Sequence, residues 1–478
     1  MEVIVILFSI IAGIMTGVIT GLIPGIHVNT IAAIMVSLST VLYGYGMDGT
    51  SIAVYIASVA VTHAFFDYIP SLFLGVPNDE VFALLPGHRM VREGRGIEAL
   101  NLSIKGSWNG VQIGVVILII VLIMQSRGID LLGAVDAYIR PYLFWILLTT
   151  SLILILSEAR KIWALLIFML SGLFGIIVLG SPLVPSTGAA FNGLFPALAG
   201  IFGVSGLILS LFERTGDFPE QKNSTELPMS SFGVLSSSVR GTGAGMAVGL
   251  LPGLGAANAA TLLLMIENYL GKNKKRDTST YSYIVTTSAI NTSDTLFGIA
   301  ALYFIEKTRS GASVAMSQLF DGTFPLFALV AVIIGIVISG FVAMTVMQHY
   351  SMYIAYAISK LDFKELNLAV LIFLVLFIYL TLGSWGIVIL MGGAYLGLLP
   401  PLLHVRRAQA MGFFLVPVML FYSGHQANIV SYLHLEAKIK YYEELDVTKM
   451  ALYLLSSLGV SSLMYILSVL IKRVWMKR

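Results

Sequence analysis

The chain reads as an all-α polytopic membrane protein made of two inverted-topology repeats, with helix-breaking Pro-Gly segments in each. Three observations predict this. Hydrophobic residues make up 57% of the 478 residues and charged residues only 11%, with a mean hydropathy of +0.91; soluble domains carry about 25% charged residues. One phrase occurs twice, Gly21-Leu22-Ile23-Pro24-Gly25 and Gly249-Leu250-Leu251-Pro252-Gly253, 228 positions apart, with Gly13 and Gly17 echoed by Gly241 and Gly245. The basic residues, finally, fall on alternate loops in an order that inverts in the second half.

A helix needs about 17–25 apolar residues to cross a bilayer. The first half offers such runs at 3–20, 25–43, 51–75, 102–125, 138–157, 162–180 and 190–212. The second offers 232–250, 254–270, 282–304, 320–342, 367–383, 386–403 and 408–424, then an extra helix at 448–471; the stretch 343–358 is a further partial segment. Residues 1–230 thus form repeat 1 and 231–447 repeat 2, while 448–478 form the extra helix and basic tail. The first twenty residues lack the basic n-region and cleavage site of a signal peptide and read as a retained span.

Glu2 without a cation places the N-terminus outside, and the Gly44–Thr50 loop returns outside with Asp48. Arg89, Arg92 and Arg95 fall inside, as do Arg160, Lys161, Arg214 and Lys222, whereas the uncharged Ser181–Ala190 loop falls outside. Seven crossings leave residue 230 inside, so repeat 2 starts on the opposite face. Its loop Lys272–Arg276 is then inside, with His404, Arg406, Arg407 and the cytoplasmic C-terminal Lys472, Arg473, Lys477 and Arg478. Arg127 and Arg140 fall outside against the rule, beside Asp130 and Asp136. This orientation suits a multi-pass protein of the plasma membrane.

A net charge of +3 spread over short loops excludes a nucleic-acid surface, and the absence of cysteine excludes disulfides, thiolate metal sites and cysteine nucleophiles. No HExxH pair or GxSxG elbow occurs. An intramembrane aspartyl protease would pair two membrane aspartates, but Asp294 lies in Thr-Ser-Asp-Thr without a glycine-flanked motif. The chain is not read as an enzyme and needs no cofactor beyond a coupling Na⁺ or H⁺.

Proline and glycine break each duplicated phrase, because proline lacks an N–H and clashes with the preceding turn. A new helix should begin after Pro24 and after Pro252, and helix N-termini favour anions. His27, Asn29 and Thr30 follow in one half; Gly255, Asn258 and Thr261 follow in the other. Farther on, Thr62, His63 and Asp67 stand against Ser288, Asn291, Thr292, Ser293 and Asp294, His63 to Asp67 aligning with Asn291 to Asp294 with one residue of slippage. Ionisable residues within spans are costly and mark ion or substrate pathways. The candidate binding residues are therefore Pro24, Gly25, His27, Asn29, Thr30, His63, Pro252, Gly253, Asn258, Asn291 and Thr292. Asp67, Ser288, Ser293 and Asp294 are the candidate ion-coupling residues, with hard oxygen ligands suited to Na⁺ at Asp67 and Asp294. The plainer alternatives are a packing kink for the glycine phrases and helix caps for the aspartates. Gly75 to Glu80, with Pro77, Asn78 and Asp79, reads as a structured inside loop that could approach the site.

These residues resemble the large membrane subunit of the tripartite tricarboxylate transporters, the TctA-type permeases. The likeness rests on GLIPGIHVNT, LFLGVPNDEVFALLPGHRMVREGRGIEAL, GLLPGLGAANAATLLLMIENYLGKNKKR and GLLPPLLHVRRAQAMGFFLVPVML, and runs from about Gly13 to Pro417. It implies ion-coupled import of a small organic carboxylate such as citrate, with a small membrane subunit and an extracytoplasmic binding protein as partners. Since few cations reach mid-membrane, Asn29, Thr30, Asn258 and Asn291 would contact the carboxylate. The family pattern has a glycine where this chain has His27, and PGD where it has Pro77-Asn78-Asp79. These departures mark a divergent member, one that could stand alone without accessory subunits, and the isoleucine-rich, cysteine-free composition suggests an archaeal source. Paired halves suit an elevator or rocking motion, and a homodimer is the expected assembly. A lipid flippase or a channel-like transporter of unrelated substrate is the alternative reading.

Overall fold

The computed structural model describes residues 2–23, 28–74, 81–180, 193–212, 221–222, 227–251, 254–256, 258–263, 276–320, 323–359 and 363–433. Among these residues the secondary structure is helical throughout, without a strand. The span expected at 448–471 and the loops at 181–190 and 271–275 lie outside the described residues. Seven described stretches are long and apolar enough to cross a membrane. The chain divides into two compact units, and neither coincides with a half of the sequence: unit 1 holds Met1–Ile146 and Ser210–Val370, unit 2 Leu147–Thr187, Phe191–Leu209 and Leu371–Arg478.

Unit 1 contains both glycine phrases. The helices that position the site are α1 (Glu2–Leu22), α2 (Val28–Ser37), α3 (Gly49–Phe66), α4 (Tyr68–Leu74), α5 (Gly96–Ser126), α6 (Ser231–Leu250), α7 (Arg276–Phe304), α8 (Gly311–Ser317) and α9 (Leu326–Ser359). Asp48 starts α3 by accepting the Ser51 N–H at 2.8 Å, and Ser230 starts α6 by accepting the Gly233 N–H at 3.2 Å. Such caps satisfy one of the free N–H groups at a helix start. α1 has two faces: Val3, Leu7, Phe8, Ile11, Met15 and Ile19 are exposed, as lipid-facing residues would be, while Ser9, Ile10 and Thr20 are buried. α3 is buried from Ile52 to Phe66 apart from Tyr55 and His63.

The glycines let these helices approach closely, the usual device of membrane helix pairs. A Cβ placed on Gly13, Gly17 or Gly21 would lie 2.6, 2.6 and 2.7 Å from the Cβ atoms of Ser58, Thr62 and Phe66. On α6 the same spacing recurs against α7: a Cβ on Gly241 would sit 2.8 Å from Ala289 Cβ, on Gly245 against the Ser293 hydroxyl, and on Gly249 2.9 Å from Phe297 Cβ. Contacts advance together along both pairs, so α1 runs parallel to α3 and α6 parallel to α7. For two parallel helices to follow one another in the chain, the connection between them must recross the layer; after the first phrase it holds α2.

The third helix of each set comes from the other half of the sequence. α5 lies along α7: a Cβ on Gly106 would sit 3.0 Å from Val285 Cα, and one on Gly110 2.9 Å from Ala289 O. α9 lies along α3, where a Cβ on Gly335 would sit 3.0 Å from Val54 Cγ1. α5 and α7 begin together, where Arg95 donates to the Tyr281 hydroxyl at 2.6 Å. They end together, where Lys307 meets Asp136 at 2.5 Å. α3, by contrast, starts near the far end, where a Cβ on Gly49 would lie 2.7 Å from Leu319 O, and the following Phe73 packs where a Cβ on Gly96, at the start of α5, would lie 2.9 Å from its ring. The set α1–α3–α9 therefore runs opposite to the set α5–α6–α7.

Charged groups gather at the two ends of unit 1. Gln221 bonds Gly96 N and Val91 O at 2.8 and 3.0 Å, tying together two loops expected on one face. At the other end Asp136 is flanked by Lys307, Arg309 and Arg140 at 2.5, 3.7 and 3.6 Å. That carboxylate compensates Arg140, one of the two arginines at odds with the charge rule.

Unit 2 brings the Arg160 and Arg406 loops together: Arg160 donates to Leu403 O at 3.2 Å, and Arg406 pairs with the buried Glu158. Its helix Phe363–Leu402 is broken at Gly383 (φ 64°, ψ −158°). A Cβ on Gly386 would lie 2.9 Å from Ile378 Cγ2, whereas eight residues of straight helix span about 12 Å. The chain thus doubles back at Gly383, giving two arms that match the expected spans 367–383 and 386–403. The segments 320–342 and 343–358, in contrast, form the single helix α9. The expected span 408–424 is Gly412–Tyr422 followed by Gln426–Tyr432, bent by 113° at Gly424 (φ 76°).

Candidate functional site

α6 ends at Leu250, and Leu251 is extended at φ −93°, ψ 135°. Pro252 and Gly253 lie outside the described residues. Helix resumes at Ala256, and Gly255 O accepts the N–H groups of Asn258 and Ala259 at 3.0 and 3.2 Å. Gly255 therefore occupies the N-cap position with no side chain to serve it. Asp294, reaching from α7, supplies the acceptor: the Ala256 backbone N–H donates to its carboxylate. A negative charge at a helix N-terminus stabilises by about 0.3–1 kcal/mol, up to about 2 in partly buried geometry. Asn258 follows in the same first turn. It is fully buried, and neither amide atom has a hydrogen-bond partner among the described residues. Leaving such a group unsatisfied costs about 1–3 kcal/mol. Thr261 is also buried, and Ala259 and Ala260 pack on Val248 and Ile290.

In the first half, Pro24, Gly25 and His27 lie outside the described residues, and the side chain of Thr30 on α2 does as well. Asn29 accepts the Ala312 N–H at 3.0 Å, helping Ser310 and Ser313 cap α8. His63 Nδ1 lies 3.1 Å from the Thr20 hydroxyl, which in turn donates to Gly17 O at 3.3 Å. Thr62 is buried against Gly17, its hydroxyl without a partner among the described residues. Asp67, half-buried, ends α3, its N–H on His63 O. Pro77, Asn78 and Asp79 lie outside the described residues.

The glycine contacts fix which residues correspond. Gly21 faces Phe66 and His63 O; Gly249 faces Phe297 and Asp294 O. His63 therefore stands where Asp294 stands, 231 positions on, and the counterpart of Asp67 is Gly298. Sequence alignment pairs Asp67 with Asp294 because the glycine helices repeat at 228. The three extra residues fall in the connection between α6 and α7.

Other candidates on α7 hold helices together. Ser288 donates to Ser103 Oγ at 2.9 Å and Thr292 to Ser107 O at 3.0 Å, both on α5. Ser293 returns its hydroxyl to Ala289 O at 2.5 Å, and Asn291 is half-buried. Sequence reasoning passed over Arg240, a cation inside α6, which donates to Ser237 and Ser282 at 3.2 and 3.1 Å; an arginine within a glycine-rich span was the available signal. Lys105, half-buried on α5, is a second such cation. No group of three or more His, Asp or Glu side chains gathers among the described residues, so a bound cation there would rely on neutral oxygens.

Unit 1 thus holds two oppositely directed glycine helices, each followed by a broken helix start, with one start already carrying a carboxylate. The model of the Tripartite tricarboxylate transporter TctA family matches residues 7–412. A protein of Methanocaldococcus jannaschii described as Uncharacterized protein MJ1079 is 32% identical over 403 residues, spanning 83% of this chain and 94% of that relative. No solved structure matches. With the apolar helices of both units, these matches establish that the chain is a multi-pass membrane protein belonging to the tripartite tricarboxylate transporter TctA family.

Proposed function

We propose that the chain is the permease of an ion-coupled secondary transporter that imports small organic di- or tricarboxylates, citrate among them. Two inverted repeats exchange inward- and outward-open states, and the carried anion sits between the broken helix starts of unit 1, near Asn29, Thr30, His63, Asn258 and Asn291. The observation that carries this reading is the matched glycine register of α1–α3 and α6–α7 in helix sets of opposite direction. Discontinuous helices from paired halves are how secondary transporters hold an ion and a substrate at mid-membrane. Asp294 is the coupling residue, and His63 is its counterpart in the other half. The N-terminus faces outward and the C-terminus the cytoplasm. A small membrane subunit and an extracytoplasmic binding protein are the partners the family suggests, with a homodimer as the assembly and an elevator-like motion of the broken segments.

The absence of cysteine makes a direct test available. Asn258→Cys and Asn29→Cys, made singly, are labelled with a small maleimide from either side of reconstituted vesicles. Citrate should slow labelling of Asn258→Cys, and accessibility should switch sides with the ion gradient. Labelling indifferent to every carboxylate and to every gradient would contradict the reading.

A further inference from the structure

We propose that the carried anion and the Asp294 carboxylate take turns at one helix N-terminus, the one opening at Ala256, and that a proton on Asp294 is the coupling ion. The proposal rests on the carboxylate-transport reading and goes beyond it in naming the ion and the exchange.

The helix start after Pro252 is the natural place for an anion, since its free N–H groups carry roughly half a positive charge. In this structure the place is taken: the Ala256 N–H is donated to Asp294. A substrate carboxylate arriving there meets a second negative charge, and little nearby can offset it. The segment 254–263 carries no titratable residue. On α6 the one charged group is Arg240, committed to Ser237 and Ser282 and nine positions before Gly249, which touches Asp294. α5 contributes Glu98 and Lys105, the latter next to Gly106, which faces Val285 more than two turns before Asp294. α7 itself has Arg276 and Asp277 in its first turn, Tyr281, bonded by Arg95, then Tyr283 and Tyr303; Glu306 and Lys307 follow its end. α3 brings Tyr55, His63 and Asp67, and α9 brings His349, Tyr350, Tyr353 and Tyr356 toward its end.

Removing the Asp294 charge resolves the conflict. A proton from the side of entry converts the carboxylate to the acid, which gives up the Ala256 N–H to the substrate carboxylate. On the far side substrate and proton leave, and the ionised carboxylate recaps the helix. The O–H bond is the only bond made and broken, so one proton travels with one anion. A sodium ion fits less well, because the helix start presents donors and no group of three or more His, Asp or Glu side chains gathers among the described residues. Asn258 is the second, independent observation. This buried amide, whose atoms have no partner among the described residues, lies in the first turn of the same helix start and can donate to the substrate. In the other half the corresponding residue is His63, held to Thr20, so the charge exchange belongs to one half alone.

The test is calorimetric titration of citrate, and of a panel of di- and tricarboxylates, into purified wild type and Asp294→Asn. Two buffers of different ionisation enthalpy read the protons taken up per anion bound. Comparing the two proteins cancels the protonation of the acid itself. Wild type should take up about one proton more than Asp294→Asn, and its affinity should fall up to tenfold per pH unit on the alkaline side. Equal proton uptake in the two proteins overturns the proposal, and so does loss of all binding in a variant that unfolds like wild type. Should Asp294→Asn fail to fold, wild type alone decides: proton uptake no greater than that of the free acid overturns it, and uptake in excess supports it. If no acid binds wild type, the carboxylate reading itself has failed, a result distinct from binding without a linked proton.

Discussion

Asp294 on α7 caps a helix belonging to another segment, accepting the N–H of Ala256 just after the second glycine phrase. One side chain thus joins the rigid α6–α7 pair to the broken helix that follows it. Its removal should loosen that helix first. Asp294→Ala should cost about 0.5–2 kcal/mol, the usual worth of a cap, and speed hydrogen exchange over 256–263. Asp294→Asn keeps an acceptor and should retain most of the protection. Wild-type exchange rates in Asp294→Ala would show that the bond carries no weight.

Two glycines on one helix separate close packing from helix propensity. A Cβ on Gly245 would run into Ser293 and lie 2.7 Å from Ile290 O, whereas one on Gly243 meets nothing within 4 Å. Gly245→Ala should destabilise by about 1–3 kcal/mol. Gly243→Ala should be neutral or stabilise by up to about 1 kcal/mol. Thermal unfolding of the purified variants checks both.

The two asparagines should behave differently. Asn29 caps α8 through Ala312, so Asn29→Ala should lose about 1 kcal/mol of stability, with part of that restored by Asn29→Asp. Asn258 is buried with no partner among the described residues. Asn258→Ala should therefore leave stability unchanged or slightly higher while raising the half-saturating substrate concentration. Wild-type uptake by Asn258→Ala would remove it from the site.

At the end where α5 and α7 finish, Asp136 compensates Lys307, Arg309 and Arg140. Asp136→Asn should leave that cluster repelling itself and lower stability by about 1–3 kcal/mol, with the loss reduced by salt. A salt-independent effect would point to packing rather than charge.

Much of the fold was legible. α1, α3, α5 and α9 announce themselves by length and apolarity; 232–250 reads as a span as well, although its serines and Arg240 leave α6 outside the stretches apolar enough to cross. What the sequence concealed was register. The glycine helices repeat at 228, but the contacts that matter repeat at 231, because a loop between α6 and α7 absorbs three residues without altering either helix. Alignment therefore matched Asp67 to Asp294, when the packing matches His63 to it. The reversal at Gly383 was readable as two spans; the bend at Gly424 was not, since a glycine at the end of an apolar run reads equally well as a simple helix stop. Nor could spacing reveal that Ser288 and Thr292 bond α5, which comes from the other half of the chain.

The measurement that bears most directly on the account is counterflow in proteoliposomes, with labelled di- and tricarboxylates and with Na⁺ and pH gradients varied separately. The account expects exchange of at least one such acid by this chain, accelerated by an acid exterior and indifferent to Na⁺. Folded protein that exchanges none of them, with or without its accessory subunits, would contradict it.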